Sequence, residues 1–435
     1  MTAVLDIAGV GIGPSNLSLA ALCEEAGGTG EAGAVRARFF DRKPGFSWHP
    51  GMLLPGARLQ CSWIKDLVTP VAPTSRFGFL SYLADRRRLF AFVNAGFEAV
   101  SREEFADYLA WVAGRLPSLR WGRAVREVRF EGGAFVVLAG NERVRARHLA
   151  VGVGQRPWVP GCLAPHRGER CLHSSEYMER RPRLAGRRVA VVGGGQSGAE
   201  IALHALRGGG GTPAAVAWIS RRGNFLPLDE THFTNEHFTP AYAEHFFGLP
   251  VERRRRLLAD QRMMSDGVSP STLRDLYEEV YRLRFLRPGP PEPRLLPGRS
   301  LVACDATGDG YALTLREEDT GLHETLAADV VIAATGYRTG LPACLDGLGI
   351  AREPGTDGPA LGRRHEAAWD GPPENRIYVQ NAGRMSHGIA DPQLALLAWR
   401  SAAVLNDALG RRAFALDGTD ALVEWSRRGG DDRAR

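Results

Sequence analysis

The chain has 435 residues, of which 44% are hydrophobic and 24% charged, with a formal net charge of +6. This length predicts two or three domains around a large buried core, and the composition is that of an ordinary globular protein. The sequence shows no apolar run of the roughly 18 residues that a membrane span needs. Its first residues also lack the basic region of a signal peptide, so we expect a cytoplasmic protein.

Cysteine, histidine and arginine patterns exclude several classes of function. The six cysteines form no C-x-x-C pair, and the eleven histidines show no metal-ligand spacing, so we expect neither a disulfide framework nor a metal. Arginine-rich runs at 86–89 and 252–258 lack the interleaved aromatic residues of a nucleic-acid platform. We interpret them as solvated helix faces and expect no nucleic-acid or membrane partner.

The first predicted unit is a strand, a glycine turn and a helix over residues 3–26, followed by a strand at 35–41. Glycines in such a turn let the backbone approach a pyrophosphate, which then rests on the helix N-terminus. Pro14 stands where a third glycine is usual, and proline is acceptable in the first turn of a helix. We predict a nucleotide site in which Asp41 binds a ribose hydroxyl. The turn residues assigned to this site are Gly9, Gly11, Gly13, Pro14, Ser15 and Asn16.

The middle of the chain contains further regular elements. Residues 101–116 are typical of an amphipathic helix, which Ser101 and Glu104 open as a capping box. Strand-like alternation over 123–151 ends in the glycine turn of "HLAVGVGQRP", and a similar strand, "DVVIAATGYR", follows at 329–338. We predict that these two segments cross between domains and that their glycine turns touch the bound nucleotides.

A second strand–turn–helix unit begins at residue 187 and carries a complete G-x-G-x-x-G pattern. Its next strand ends in serine and two arginines, where a site for NADH would place Asp or Glu. An acid would repel a 2′-phosphate, whereas arginine pairs with one, so we predict that this unit binds NADPH. The residues assigned to NADPH are Gly193, Gly195, Gln196, Ser197, Gly198, Ser220, Arg221, Arg222, Thr335, Gly336 and Tyr337.

An acid after the first fingerprint and arginines after the second imply FAD at the first site and NADPH at the second. The fold class predicted is α/β, with two Rossmann-like dinucleotide-binding domains and the NADPH domain inserted into the FAD domain. The predicted parts are 1–170 for the FAD domain, 171–325 for the NADPH domain with a helical substrate segment at about 225–290, and 326–435 for the closing part with a C-terminal helix and tail.

Several longer stretches resemble one family in particular. They are "GIGPSNLSLAAL", "FSWHPGMLLPGARLQCSWIKDLVTPVAPTSRFGFLSYL", "VVGGGQSGAE", "FTNEHFTPAY", "AATGYR" and "HGIADPQLALLAWRSA". The sequence is similar, from about residue 4 to residue 415, to the microbial N-hydroxylating flavin monooxygenases of siderophore biosynthesis, which act on lysine, ornithine or diamines. The resemblance implies that NADPH reduces FAD and that a C4a-hydroperoxyflavin transfers one oxygen atom from O2 to a neutral terminal amine. No catalytic side chain and no metal is required.

The same resemblance assigns individual residues. Lys65 matches the family lysine that faces the substrate carboxylate in the amino-acid hydroxylases. Gln60 resembles a glutamine near both the flavin ring and the substrate, and Trp48 and His49 belong to the loop that covers the flavin. Asn235 matches an asparagine that hydrogen-bonds the substrate, and it is assigned to the NADPH site as well.

Two departures from the ornithine hydroxylases matter for the substrate. This chain has Ser265 and Asp266 where those enzymes carry an asparagine, and Ala390 where they carry a serine. Both differences favour the lysine and diamine branch, and all three residues are assigned to the substrate site. Asp266 or Asp391 is either a partner for the distal amine of a diamine or a solvated acid. Gly388, in the same stretch as Ala390, is assigned to FAD.

L-lysine is therefore the first expected substrate, with cadaverine or putrescine as the alternative. A Baeyer–Villiger or sulfur-oxidising flavin monooxygenase is a further alternative, since it shares both fingerprints, but it has no reason to keep Lys65 and the "FTNEHF" segment. A disulfide reductase is excluded because it would need a redox cysteine pair, which the sequence lacks. NADPH consumption with bound flavin would exclude a non-enzymatic nucleotide sensor. The resemblance also implies a homo-oligomer, such as a tetramer.

Overall fold

A computed structural model of the protein describes residues 4–27, 34–417 and 421–426. Most of the predicted C-terminal tail lies outside these ranges. None of the helices that they contain is both long and apolar enough to span a bilayer.

Strands and helices alternate along most of the chain. The strands are β1 (Leu5–Val10), β2 (Ala37–Phe40), β3 (Leu119–Arg120), β4 (Val125–Glu131), β5 (Ala134–Ala139), β6 (Glu142–Val151), β7 (Arg156–Pro157), β8 (Cys171–His173), β9 (Arg188–Val192), β10 (Ala215–Ile219), β11 (Glu292–Leu296), β12 (Arg299–Ala306), β13 (Tyr311–Glu317), β14 (His323–Ala328), β15 (Val330–Ala333), β16 (Tyr337–Arg338) and β17 (Ile377–Val379). The helices are α1 (Pro14–Ala26), α2 (Phe79–Asp85), α3 (Leu89–Ala95), α4 (Arg102–Ala113), α5 (Tyr177–Arg180), α6 (Gln196–Leu206), α7 (His232–Asn235), α8 (Pro240–Phe247), α9 (Val251–Asp260), α10 (Arg262–Asp266), α11 (Pro270–Tyr281), α12 (Arg384–His387) and α13 (Leu397–Leu409).

The first fingerprint lies in a seven-stranded sheet of order β3-β2-β1-β6-β5-β4, with β17 paired to β6. Strands β1, β2, β3, β6 and β17 are parallel, and β4, β5 and β6 form an antiparallel meander. Helix α1 packs against α13 beside this sheet. A Cβ atom at Gly9 would lie 2.0 Å from Cδ1 of Phe39, so β1 must carry glycine for β2 to pack this closely.

The second fingerprint lies in a five-stranded parallel sheet of order β11-β10-β9-β15-β8. All five strands lie in sequence between β6 and β17 of the first sheet, so the second unit is inserted into the first. The predicted boundary between residues 325 and 326 falls inside β14, and β15 pairs with β8 and β9 of the second sheet. We therefore place the end of the inserted part after Ala333, and the other boundaries stay predictions.

The two segments predicted to cross between the sheets lie side by side. Strands β7 and β16 pair antiparallel, with Tyr337 opposite Pro157 and Arg338 opposite Arg156. The chain leaves the first sheet through β7 and leaves the second through β16. The two crossing segments are therefore hydrogen-bonded to each other, close to the glycine turns that follow β6 and β15.

Local signals placed two helical regions correctly. Helix α4 begins after Ser101, whose hydroxyl accepts a hydrogen bond from the Glu104 amide at 3.1 Å, which is the N-cap half of the predicted capping box. The Glu104 carboxylate instead accepts from the Tyr82 hydroxyl at 3.0 Å. Helices α7 to α11 occupy residues 232–281 within the predicted helical segment, and α11 packs against α6. This packing brings the helical segment to the first turn of the second fingerprint helix.

Candidate active site

Each glycine fingerprint packs against one of the two crossing turns. Gly11 has φ +85°, and a Cβ atom there would lie 2.7 Å from the carbonyl oxygen of Gly152, in the turn after β6. Gly193 has φ +135°, and its Cβ would lie 2.0 Å from the carbonyl oxygen of Ala334, in the turn after β15. Both positions need glycine because of the left-handed backbone and because of the close approach. The same construction therefore occurs twice in the molecule.

Asn16 braces the first of these turns. Its Nδ2 atom donates to the carbonyl oxygens of Gly11 at 2.8 Å and Ala150 at 3.0 Å, and its Oδ1 atom accepts from Nε2 of Gln380 at 2.7 Å. The side chain is fully buried. Its amide atoms are thus used within the protein, and Asn16 supports the turn that the sequence assigned to FAD.

Asp41 lies beside the same turn, at the end of β2. Its Oδ2 atom accepts from the Ile12 amide at 2.7 Å, and its Oδ1 atom accepts from the Lys43 amide at 2.9 Å. The carboxylate is buried, with only 9% of the residue exposed. Asp41 therefore stabilises the fingerprint turn through the Ile12 amide. Its contact with a ribose stays a prediction.

Helix α6 starts at Gln196, directly after the second glycine turn, so its N-terminus faces the region where a pyrophosphate would rest. A Cβ atom at Gly198 would lie 2.0 Å from the carbonyl oxygen of Gly193, which explains the third glycine of the pattern.

The two crossing segments are also hydrogen-bonded to each other through Thr335, whose hydroxyl donates to the Trp158 carbonyl oxygen. The backbone of Gly336 accepts from the Trp158 amide at 2.9 Å.

The two arginines after β10 have different surroundings. Nη1 of Arg222 donates to the carbonyl oxygen of Asp266 at 2.9 Å, and burial lowers the pKa of this guanidinium. Arg221 is exposed and forms no ion pair or side-chain hydrogen bond within the described part of the chain. The buried hydroxyl of Ser220 accepts from the Arg222 amide at 3.2 Å. Arg221 is therefore the less engaged of the two guanidinium groups, and its contact with a phosphate stays a prediction.

A cavity of about 1090 Å³ lies where the first part of the chain, α6 and the helical segment meet. The predicted residues Gln60, Lys65, Asn235 and Ser265 all line it, together with Gln196. Lys65 is partly buried and has no ion-pair partner among the described residues. An unpaired ammonium on a cavity wall is a natural site for an anionic group of a ligand.

Two of the other cavity residues make specific contacts. Nε2 of Gln60 donates to Oγ of Ser269 at 3.2 Å and approaches Oε1 of Gln196 at 3.4 Å. Nδ2 of Asn235 donates to the carbonyl oxygen of Glu230 at 3.2 Å, at the C-terminal end of α7. Gln60 thus links the cavity wall formed by residues 54–65 to the wall formed by Gln196 and Ser269.

Three residues that the sequence placed near the substrate do not line the cavity. Asp266 pairs with Arg384 at 3.2 Å, and Asp391 is buried and pairs with Arg400 at 2.8 Å. Each carboxylate already forms an ion pair with an arginine, so the structure does not support either as the partner of a distal amine. Ala390 is fully buried in a small apolar cluster with Ala243 and Leu396.

The remaining residues assigned to FAD lie in closely packed turns. The Trp48 ring packs edge-on against Phe105 at 5.6 Å, and neighbouring His49 has a left-handed backbone with φ 45°. Gly388 has φ +84°, and its Cβ would lie 3.3 Å from the Phe246 ring. None of these three assigned residues lines the cavity, and their contacts with FAD stay predictions.

Sequence reasoning missed two charged residues beside the cavity. Arg102 begins α4 and Glu200 lies on α6, and their side chains form an ion pair of 2.7 Å. In the sequence each is one polar residue on an amphipathic helix, and 98 positions separate them. No local pattern indicates that two such residues meet.

Two Rossmann-like sheets, each with a fingerprint and joined by paired crossing strands over one polar cavity, define a two-dinucleotide oxidoreductase of the flavin monooxygenase fold. The model of the L-lysine 6-monooxygenase/L-ornithine 5-monooxygenase family matches residues 3–339. The chain therefore belongs to this family of flavin-dependent N-hydroxylating monooxygenases. The family and the fold class predicted from the sequence are both confirmed.

Three relatives show how far the similarity extends. L-lysine N6-monooxygenase of Escherichia coli is 42% identical over 97% of this chain and 98% of its own length. The cadaverine monooxygenase of Erwinia amylovora, solved with FAD, superposes with a TM-score of 0.89 at 29% identity over 98% of this chain and all of its own. The ornithine N-hydroxylase of Kutzneria sp. 744, solved with reduced FAD, NADP⁺ and L-ornithine, gives 0.84 at 29% identity over 94% and 99%.

Proposed function

We propose that the protein uses FAD and NADPH to N-hydroxylate the terminal amine of L-lysine, and so supplies a hydroxylamine for siderophore assembly. The observation that carries this proposal is the unpaired ammonium of Lys65 on the wall of the shared cavity. An amino acid brings a carboxylate to that ammonium, whereas a diamine brings a second cation. The 42% identity with the Escherichia coli lysine enzyme supports the same choice.

The residues present fit both nucleotides. The first turn and Asp41 would hold FAD, and the N-terminus of α6 with Arg221 would hold NADPH. FAD bound there and reduced by NADPH would supply the electrons that activate O2, so that the amine receives one of its oxygen atoms and the other leaves as water. Lys65 then orients the substrate through its carboxylate. The apolar side chains of Leu228 and Phe238, which also line the cavity, exclude water from the aliphatic stem.

One observation is compatible with a diamine, which is the second candidate. Glu98 and Glu230 both line the cavity, and burial together with the charge of Glu98 raises the pKa of Glu230. Two neighbouring carboxylates attract a cation, which could be the α-ammonium of lysine or the distal amine of cadaverine or putrescine. The two readings differ only at the Lys65 end of the substrate.

Product analysis tests the proposal directly. The purified protein with FAD, NADPH and oxygen is assayed for hydroxylamine on lysine, ornithine, cadaverine and putrescine. We expect the highest kcat/KM with lysine. A preference for cadaverine or putrescine would assign the diamine function instead. NADPH oxidation without hydroxylamine from any of the four would contradict N-hydroxylation and favour another class of flavin monooxygenase.

Coenzyme choice depends on Arg221 in this proposal. Arg221→Ala should raise KM for NADPH about tenfold or more, because a charge-assisted contact to phosphate contributes about 1.5–3 kcal/mol. KM for NADH, which lacks the 2′-phosphate, should change little in the same variant, and this is the internal control. Equal losses with both coenzymes would show that Arg221 does not contact the phosphate.

The pH profile reports the protonation of the amine. A free alkyl amine has a pKa of about 10.4 and must be neutral to accept oxygen. Hydroxylation should therefore rise with pH through the alkaline range, while the rate of flavin reduction changes less. The two rates are measured separately, by product formation and by stopped-flow absorbance. A flat hydroxylation profile would show that deprotonation of the amine is not limiting.

We also propose that the protein is a homo-oligomer and acts in the cytoplasm, where NADPH is available. Tyr277, Tyr281 and Phe285 recur at every fourth position along α11 and the π-helical turn at 282–286 that continues it, and they are 73%, 50% and 67% exposed. Such an apolar stripe is typical of a contact surface. Light scattering of the purified protein determines the number of subunits, and a monomer at micromolar concentration would contradict the proposal.

A further inference from the structure

An ion pair joins the first part of the chain to the second fingerprint helix. Nη1 of Arg102 lies 2.7 Å from Oε2 of Glu200, and Nη2 lies 2.8 Å from Oε1. Only 15% of the Arg102 side chain and 6% of the Glu200 side chain are exposed. Arg102 also donates to the carbonyl oxygen of Met52 at 3.3 Å, which anchors it on its own side.

The pair continues into the first turn of α6. Nε2 of Gln196 donates to Oε1 of Glu200 at 2.7 Å and to the hydroxyl of Thr272 at 3.1 Å. Oε1 of Gln196 accepts from the Ser269 amide at 2.8 Å. Glu200 is therefore the centre of a network that ties α4, the start of α6 and the start of α11 together beside the cavity.

The two hydrogen bonds between Arg102 and Glu200 restrict the movement of α6 relative to α4. Two parallel hydrogen bonds between a guanidinium and a carboxylate fix the relative orientation of both groups, as well as their distance. The pair is largely buried, so loss of one partner would leave the other charge without compensation. The start of α6 cannot shift relative to α4 without breaking these contacts.

We propose that Glu200 is a positioning residue that holds the second nucleotide site in register with the wall carrying Gln60 and Lys65. This inference rests on the proposed function, because its consequence is the coupling of NADPH oxidation to amine hydroxylation. With the pair intact, the coenzyme at α6 and the substrate at Lys65 keep a fixed separation. With the pair broken, α6 and its coenzyme shift, and oxygen is reduced to hydrogen peroxide instead of being transferred.

The test is Glu200→Gln in the FAD-loaded enzyme. This change keeps an oxygen that can accept from Gln196 but removes the charge that Arg102 needs. NADP⁺ affinity, measured by titration, should fall about tenfold, the scale expected when a residue acts on a site through its neighbours. Hydroxylamine formed per NADPH should fall at least twofold, with hydrogen peroxide making up the difference, while flavin content stays the same. Unchanged NADP⁺ affinity and coupling in an enzyme whose wild type hydroxylates lysine would overturn the inference.

Asp329→Asn is the matched control. Asp329 forms a similar two-pronged pair with Arg188, at 2.7 Å and 3.2 Å, but within the second sheet and away from the cavity. A purely structural role predicts that both variants lower the melting temperature and that neither uncouples. The positioning role predicts uncoupling in Glu200→Gln alone. The double variant Arg102→Gln/Glu200→Gln should be no less coupled than either single variant, because all three lack the same pair.

A cofactor-free readout separates this inference from the proposed function. Hydrogen exchange of the protein without nucleotides should become faster at the start of α6 and at the start of α4 in Glu200→Gln, and in Asp329→Asn at neither. No change at α4 would show that the pair does not link the two parts. If the wild-type enzyme hydroxylates no amine, the proposed function fails, whereas the exchange result still decides whether the link exists.

Discussion

Lys65→Ala should weaken L-lysine binding by about ten- to a hundredfold, because a hydrogen bond between charged groups contributes about 1.5–3 kcal/mol. FAD should stay bound, and NADPH should still be oxidised, since Lys65 belongs to neither fingerprint. The ammonium is partly buried, lines the cavity and has no ion-pair partner within the described ranges. Lysine affinity is measured by titration, and coupling by the ratio of hydroxylamine to hydrogen peroxide.

Arg58→Ala is the control for this prediction. Arg58 also lines the cavity but is exposed, so its loss changes the net charge equally without removing the predicted partner of the carboxylate. Lysine affinity should fall far less in this variant. If Lys65→Ala leaves lysine affinity unchanged and tightens cadaverine binding, the diamine alternative is the better reading of the cavity.

Asp391→Ala should lower the free energy of unfolding by about 3–5 kcal/mol, because it strands the buried charge of Arg400. Asp391 and Arg400 are 3% and 2% exposed, and Asp391 also accepts from the Gly383 amide at 2.7 Å. The removed carboxylate supports the turn before α12, so the cost falls on the fold. Denaturant unfolding of the FAD-loaded protein measures the change.

Asp266→Ala is the matched comparison for Asp391→Ala. Asp266 pairs with Arg384 near the surface, with side chains 34% and 35% exposed, so its loss should cost no more than about 1 kcal/mol. Neither variant should change the affinity for cadaverine or putrescine. An Asp391→Ala protein of normal stability that loses affinity for a diamine would restore the substrate role suggested by the sequence.

Signals that act within a few residues were sufficient for much of the fold. Glycine spacing after an apolar strand identified both nucleotide turns, because pyrophosphate binding constrains backbone shape over a short stretch. The N-cap at Ser101 placed the start of α4, because a side-chain cap acts on backbone amides within one helical turn. The longer motifs around Lys65 identified the family, which the family model confirms.

Pairing between distant segments could not be read in this way. The side-by-side crossing of β7 and β16, the place of β15 in the second sheet and the Arg102–Glu200 pair all join residues that are far apart in the chain. The sequence also left Asp266 and Asp391 open as ligands, since a carboxylate looks the same whether it is free or paired. Their partners come from elsewhere in the chain, Asp266 being matched with an arginine 118 positions away. Local chemistry thus defines the turns, but the charge left free in the cavity depends on which side chains the packed fold brings together.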